Sequence, residues 1–216
     1  MELELKKECL DTYELGEPQT LTQEETAETI VPDYCPDIAR IISAEGVVCL
    51  HGGTEQDGVT GTVRVTVLYT PENESGVRAL EFAMPFSAQG EGLAGCAHVV
   101  VETEIELLES RMLNPRKIFT RCKLVTHLAG CRKVCLTISS DAETDPALLV
   151  EKRCCGQTVS LLRQVAEKDL TFSETMSLSL GREGAAELLH CRANGIVTET
   201  KAIGNKLIFK GVFLVS

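Results

Sequence analysis

The chain has 216 residues, 44% hydrophobic and 25% charged, with a net charge of −11 and no Trp. That charge, with no basic stripe to offset it, excludes a nucleic-acid polyanion as partner. No apolar run approaches the roughly 20 residues that span a bilayer.

Residues Glu2, Glu4, Lys6, Lys7 and Glu8 are not those of a signal peptide, so the cytoplasm is the expected compartment. Ten cysteines in such a compartment are expected to stay reduced. With 4% aromatics, the core must rest on Val, Leu, Ile and Ala.

In chain order, the acidic run from Glu14 to Asp37 reads as an exposed connection between a strand and a short helix. A sharper alternative makes it a docking surface for another protein. The helix is predicted at Cys35-Pro-Asp-Ile-Ala-Arg-Ile-Ile42. Pro36 suits a first helical position, and Asp37 suits the positive end of the helix dipole. Ile38, Ile41 and Ile42 would share a buried face, with Gly46 ending the element. Arg40 would point away from that face, free to meet a carboxylate. Asp37 and Arg40 are the candidate partner-binding residues.

From Thr62 onward the dominant period is two. Val63, Val65 and Val67 alternate with Arg64 and Thr66. Val101, Thr103, Ile105 and Leu107 are expected on one face, with Glu102, Glu104 and Glu106 on the other. Lys117 to Leu128 and Arg132 to Ser139 follow the same pattern. Such alternation marks strands with one buried and one wet face. Turn signals fall between them at Gln56-Asp-Gly58, Pro71 to Gly76, Asn114-Pro115, Ala129-Gly130 and Gly204-Asn205. Asp57-Gly58 and Gly204-Asn205 read as hairpin turns. The fold class is therefore all-β, mainly an antiparallel sandwich or barrel-like, with one short helix per repeat.

The repeat is visible in four segments. Leu3 to Leu10, Ile38 to Ile42, Gly46 to Leu50 and Val63 to Thr70 return in order as Leu149 to Cys155, Ala186 to Leu189, Gly195 to Val197 and Leu207 to Ser216. The repeat length is that of a domain, not a solenoid unit. The expected organisation is a first domain over 1–139, a linker over 140–148, and the opening half of a second copy over 149–216. Its helix is predicted over Arg182 to His190. An incomplete copy implies a fragment of a longer protein and leaves open a homodimer through that half-repeat.

No motif carries chemistry. Gly90-Glu-Gly-Leu-Ala-Gly95 spells the letters of a dinucleotide loop, but a strand-like stretch follows it where a helix is needed, and Glu91 would repel phosphate. It reads as a plain loop. Cys131 and Cys135 lie about 13 Å apart along a strand, too far for one metal, and the vicinal Cys154-Cys155 point to opposite faces. Cys49 and His51 share a face, yet nothing orients the base. No catalytic residue, metal or cofactor is expected.

Val31-Pro-Asp-Tyr-Cys-Pro-Asp-Ile-Ala-Arg-Ile-Ile42, Gly61-Thr-Val-Arg-Val-Thr-Val-Leu-Tyr69, Met84-Pro-Phe86 and Met112-Leu-Asn-Pro-Arg-Lys-Ile118 together resemble the SPOCS domain of clostridial sporulation proteins. The resemblance covers about residues 28–138. It implies a protein of spore-coat morphogenesis in the mother cell, at the forespore surface, with other morphogenetic proteins as partners. Members often carry tandem SPOCS domains and a C-terminal LysM module; this chain has no LysM-like segment. The resemblance brings no catalytic residues.

Composition and resemblance lead to one expectation, a non-enzymatic protein–protein interaction and assembly module. The alternative is a module binding carbohydrate or cell-wall glycan, which the lack of Trp and the three Tyr disfavour.

Overall fold

The computed structural model describes residues 4–51, 58–143, 151, 153, 156, 158–166, 168, 171, 173–175 and 188–216. Nine antiparallel strands are present among them: β1 Glu4–Leu15, β2 Gln19–Ile30, β3 Ile38–His51, β4 Gly58–Pro71, β5 Arg78–Gln89, β6 His98–Asn114, β7 Lys117–Glu143, β8 Ala193–Ile203 and β9 Lys206–Val215. The described residues contain no helix.

The long strand β7, of 27 residues, organises the first sheet. Along one edge it pairs first with β2, from Ile30↔Lys117 to Gln19↔Leu128, and then with β1, from Leu15↔Cys131 to Glu4↔Glu143. The N–H of Gly16 donates to the carbonyl of Gly130 at 2.8 Å, so the ladder continues through the break between β1 and β2. The opposite edge pairs with β6, up to His98↔Cys131. Beyond Cys131, β7 is paired to β1 alone among the described residues, and the two form a largely exposed arm.

The second sheet has the order β3-β4-β5. Val63, Val65, Val67 and Tyr69 of β4, with Leu80, Met84 and Phe86 of β5, face Ile118, Cys122 and Leu124 of β7. The result is a two-layer sandwich, not a closed barrel. Strands β8 and β9 form a separate two-stranded ribbon, joined by the predicted Gly204-Asn205 turn with Ile203↔Lys206 closing it. Gly204 has φ +61°, a conformation that suits glycine.

Several expectations are corrected. Ile38 to Ile42 is the start of β3, not a helix. Its inward residues Ile38, Ile41 and Ala44 fall three apart because β3 shifts register between Ile38 and Arg40 and again between Ile41 and Ser43, while Ile42, expected on the same buried face, is exposed. Gly46 does not end an element. It lies where a Cβ would come within 2.8 Å of Ile105 and 3.1 Å of Leu108, so it lets β3 approach β6. The acidic run is not a bare connection, since β2 occupies half of it. Residues 140–143, expected in the linker, continue β7. The described residues form one sandwich and one two-stranded ribbon; much of the expected second copy, including residues 144–150 and 176–187, lies outside them. Residues 182–187 of the second predicted helix, 144–148 of the linker and 56–57 of the first turn lie outside the described residues; Leu188, Leu189 and His190 are not helical.

Candidate interaction surfaces

The two predicted site residues do not meet. Asp37 accepts a hydrogen bond from Arg116 Nη1 at 3.0 Å. Arg40 is exposed on β3, where its carbonyl accepts a bond from Thr70 Oγ1 at 3.4 Å. Arg116 is not among the predicted site residues; it directly follows the predicted Asn114-Pro115 turn.

Arg116 gathers the whole connection between β2 and β3. Besides Asp37, its guanidinium donates to the carbonyls of Cys35 at 2.8 Å and Val31 at 2.9 Å, and to Asp33 Oδ1 at 3.1 Å. Asn114 Oδ1 accepts from the Arg116 amide at 2.9 Å and shapes the turn that presents it. Backbone bonds complete the seam: Val31 N–H to Arg116 O and Ile38 N–H to Pro115 O, both 2.9 Å. A planar guanidinium with five fixed donors can satisfy such a set, and a lysine cannot. Beneath it, Tyr69 donates its hydroxyl to Pro36 O at 3.3 Å, and burial, then the nearby Cys35, raise its pKa. Tyr34, in the same connection, is 87% exposed.

The glycine loop is spent on packing. Leu93, 5% exposed, plugs the end of the sandwich against Val59 and Leu128. The Glu91 amide donates to Gln19 Oε1 at 2.8 Å, Gln19 Nε2 donates to Glu91 O at 2.6 Å, and Arg132 Nη2 donates to Gly92 O at 2.6 Å. Gly92 and Gly95 take φ of +65° and +77°. The loop leads into β6, so no helix dipole stands behind it for an anion.

The cysteines depart from the all-reduced expectation. Cys9 and Cys135 form a disulfide across the exposed arm, with Cα atoms 5.7 Å apart and a sequence separation of 126. Cys9 pairs with Thr137 and Cys135 with Asp11, so the two cysteines are diagonal neighbours, two residues out of register, on one face. Cys122 and Cys131 are buried thiols, as small apolar residues. Burial, then the neighbouring Glu25, pushes the Cys122 thiol up to about 11. No group of three His, Cys, Asp or Glu suited to a metal occurs among the described residues, and Cys154-Cys155 lie outside them. His51 bonds Thr62 Oγ1 at 2.7 Å and His190 lies 3.1 Å from Glu45 Oε2; neither contact orients a nucleophile.

On the outward face of the first sheet, three cations are paired. Lys117, Arg121 and Lys123 on β7 pair with Glu28, Glu24 and Glu106 of the flanking strands. Arg111 stacks over Phe119 with its Cζ 4.8 Å from the ring centre, at the edge of an 860 Å³ groove also lined by Ile41, Leu108 and Arg121. The groove holds two guanidinium groups and two carboxylates, Glu24 and Glu109, with no excess of either sign.

The β8–β9 ribbon is different. Val197, Leu207 and Phe209 are 62%, 58% and 60% exposed, and Ile196, Val212 and Leu214 are exposed as well. A two-stranded ribbon is marginal in water unless a further layer covers it. This is the largest concentration of exposed apolar side chains among the described residues.

No protein-family model, no curated protein and no solved structure matches this chain. Among the described residues, no helix is long and apolar enough to cross a membrane.

Proposed function

We propose that the chain is a non-enzymatic assembly module that recognises other proteins through the exposed apolar β8–β9 ribbon. The carrying observation is a hairpin whose large apolar side chains stand in solvent on both strands. Such a surface is what protein partners cover. Strand-to-strand addition is open to it, because both ribbon edges lack a strand partner among the described residues.

The proposal extends to the resemblance. It takes the chain as SPOCS-like, acting in the mother cell at the forespore surface with other spore-coat morphogenetic proteins. The support is that two of the quoted segments, Val31 to Asp37 and Asn114 to Ile118, meet at Arg116. Segments that fold against each other form one structural unit. It also takes β8–β9 as the counterpart of β3–β4: both are antiparallel hairpins, with Gly46 opposite Val65 and Gly195 opposite Phe213.

The test is affinity capture of the full-length protein from sporulating cells, read by mass spectrometry, with Leu207→Lys in parallel. Recovery of coat scaffold proteins, lost in the variant, is the expected result. Capture of wall glycan alone, or a protein set unchanged by Leu207→Lys, overturns the proposal.

A further inference from the structure

We infer that one face of the β8–β9 ribbon is a self-association surface, on which a second copy of the chain packs face to face. This inference rests on the assembly function proposed above and names the occupant.

The two faces of the ribbon differ in kind. Cross-strand partners share a face, so the register sorts the side chains. Thr200↔Phe209, Ala202↔Leu207, Val197↔Gly211 and Ala193↔Val215 put Val197, Thr200, Leu207, Phe209 and Val215 together. That face carries no charged residue. Glu199↔Lys210 and Ile203↔Lys206 put every charge of the ribbon, Glu199, Lys201, Lys206 and Lys210, on the other face. There Glu199 is bound by Lys201 and by Lys210 at 3.3 Å, and these bonds hold its carboxyl below the usual carboxylate range. The sorting survives the register shift between Val197 and Glu199, which leaves Thr198 unpaired in the ladder, with its hydroxyl bonded to Lys210 O at 3.2 Å.

An uncharged face decides between occupants. A net charge of −11 attracts basic partners and repels a second copy at long range, so a pair must be held by short-range apolar contact and tighten as salt screens the repulsion. A basic partner finds no carboxylate on this face and would desolvate its cations without compensation. A second copy of the same face brings no charge into the contact. Two ribbons stacked about 10 Å apart make a two-layer unit, the smallest arrangement that hides an apolar strand face. The half-exposed side chains of this face supply about 600 Å² per copy, or about 1,200 Å² in a pair, the lower bound for a specific interface. A Cβ at Gly211 would collide with the carbonyl of Ile196, so glycine there lets β9 lie close against β8.

The test is sedimentation equilibrium of the full chain from about 1 to 200 µM, with Phe209→Lys on the uncharged face and Val212→Lys on the charged face. Both sites are exposed, and circular dichroism checks that each variant keeps the wild-type β signature. The expected result is a wild-type mass rising to twice 23.5 kDa. Phe209→Lys should weaken the pair about 30-fold or more, and Val212→Lys by less than about 3-fold, because only the first buries an unpaired charge. A monomer throughout, or equal weakening by both variants, overturns the inference. Capture from the parent cells then separates the two levels. A monomeric wild type whose captured proteins are lost with Phe209→Lys means that the face docks another protein and self-association is wrong. A monomeric wild type with unchanged capture means that both proposals are wrong.

Discussion

Arg116 Nη1 donates to Asp37 Oδ1 at 3.0 Å across 79 positions of sequence. The bond is one of four by which a single guanidinium ties the β2–β3 connection to the β6–β7 turn. Two acceptors are backbone carbonyls, which would otherwise need water or another donor. Replacement by Lys keeps the charge and loses the fork. Arg116→Lys should lower the unfolding free energy by about 2 kcal/mol, seen as a reduced urea midpoint at unchanged slope. Asp33 is fully exposed, so Asp33→Ala should leave the midpoint nearly unchanged. Equal losses from the two variants would deny the carbonyl bonds their role.

Gly61 stands opposite Phe86, whose ring lies where a side chain at 61 would begin. Phe86 is 5% exposed and part of the core. Gly61→Ala must displace that ring or part β4 from β3, since the carbonyl of Cys49 is only 3.0 Å from the new Cβ. A loss of about 1–3 kcal/mol is expected. Thermal unfolding of the variant measures it, and an unchanged melting temperature would mean that Phe86 moves freely.

Cys122 makes the stability of the sandwich depend on alkaline pH. Its thiol rises from 9.0 to about 11 in the folded chain, first through burial and then through Glu25. Between these values the unfolded chain loses the proton and the folded chain keeps it. The contribution is therefore complete below about pH 9 and falls as pH rises through 11. A decline of about 2 kcal/mol across that window is expected, removed in Cys122→Ala after correction for its own cost. A thiol reagent at pH 8 should label exposed Cys191 and leave Cys122 untouched.

The Cys9–Cys135 disulfide lies in the part of β7 where β1 is the only described strand partner. Reduction should speed amide exchange over residues 4–11 and leave residues 117–128, paired on both edges, protected as before. Cys9→Ser should reproduce the effect without reductant. Hydrogen exchange read by mass spectrometry resolves the two segments, and equal protection of β1 in both redox states would show that its backbone ladder suffices.

The inner face of β4 was legible because Val63, Val65 and Val67 alternate without interruption, and all three are fully buried. β7 was legible in two pieces for the same reason. The start of β3 was not, because two bulges move its inward positions to intervals of three and imitate a helix. A bulge also separates Ile105 from Leu107, so Leu107 turns outward and Leu108 packs on the core instead. Strand β2 was hidden by its chemistry. Its inward positions include Gln23 and Glu25, bonded to each other at 3.1 Å, where a hydrophobic pattern would be sought. Of the candidate site, Asp37 reads in the sequence as the start of a helix that is not there, and it is instead an acceptor for Arg116. That arginine lies in a different turn, and no local pattern joins the two. The disulfide was missed because compartment, not geometry, decided the expectation.

Because β7 takes β2 and β1 in succession along one edge, the chain can close its sandwich before its own first strand has anywhere to go. Synthesis delivers β1 first, yet every residue that pairs with it lies at Cys131 or later. At about 5–20 residues per second, β1 waits on the order of ten seconds, while β2 can already zip onto the first half of β7. Of the sandwich strands, the first made is thus the last whose partner is synthesised, and whatever guards its open edge during that delay acts on an unfinished chain.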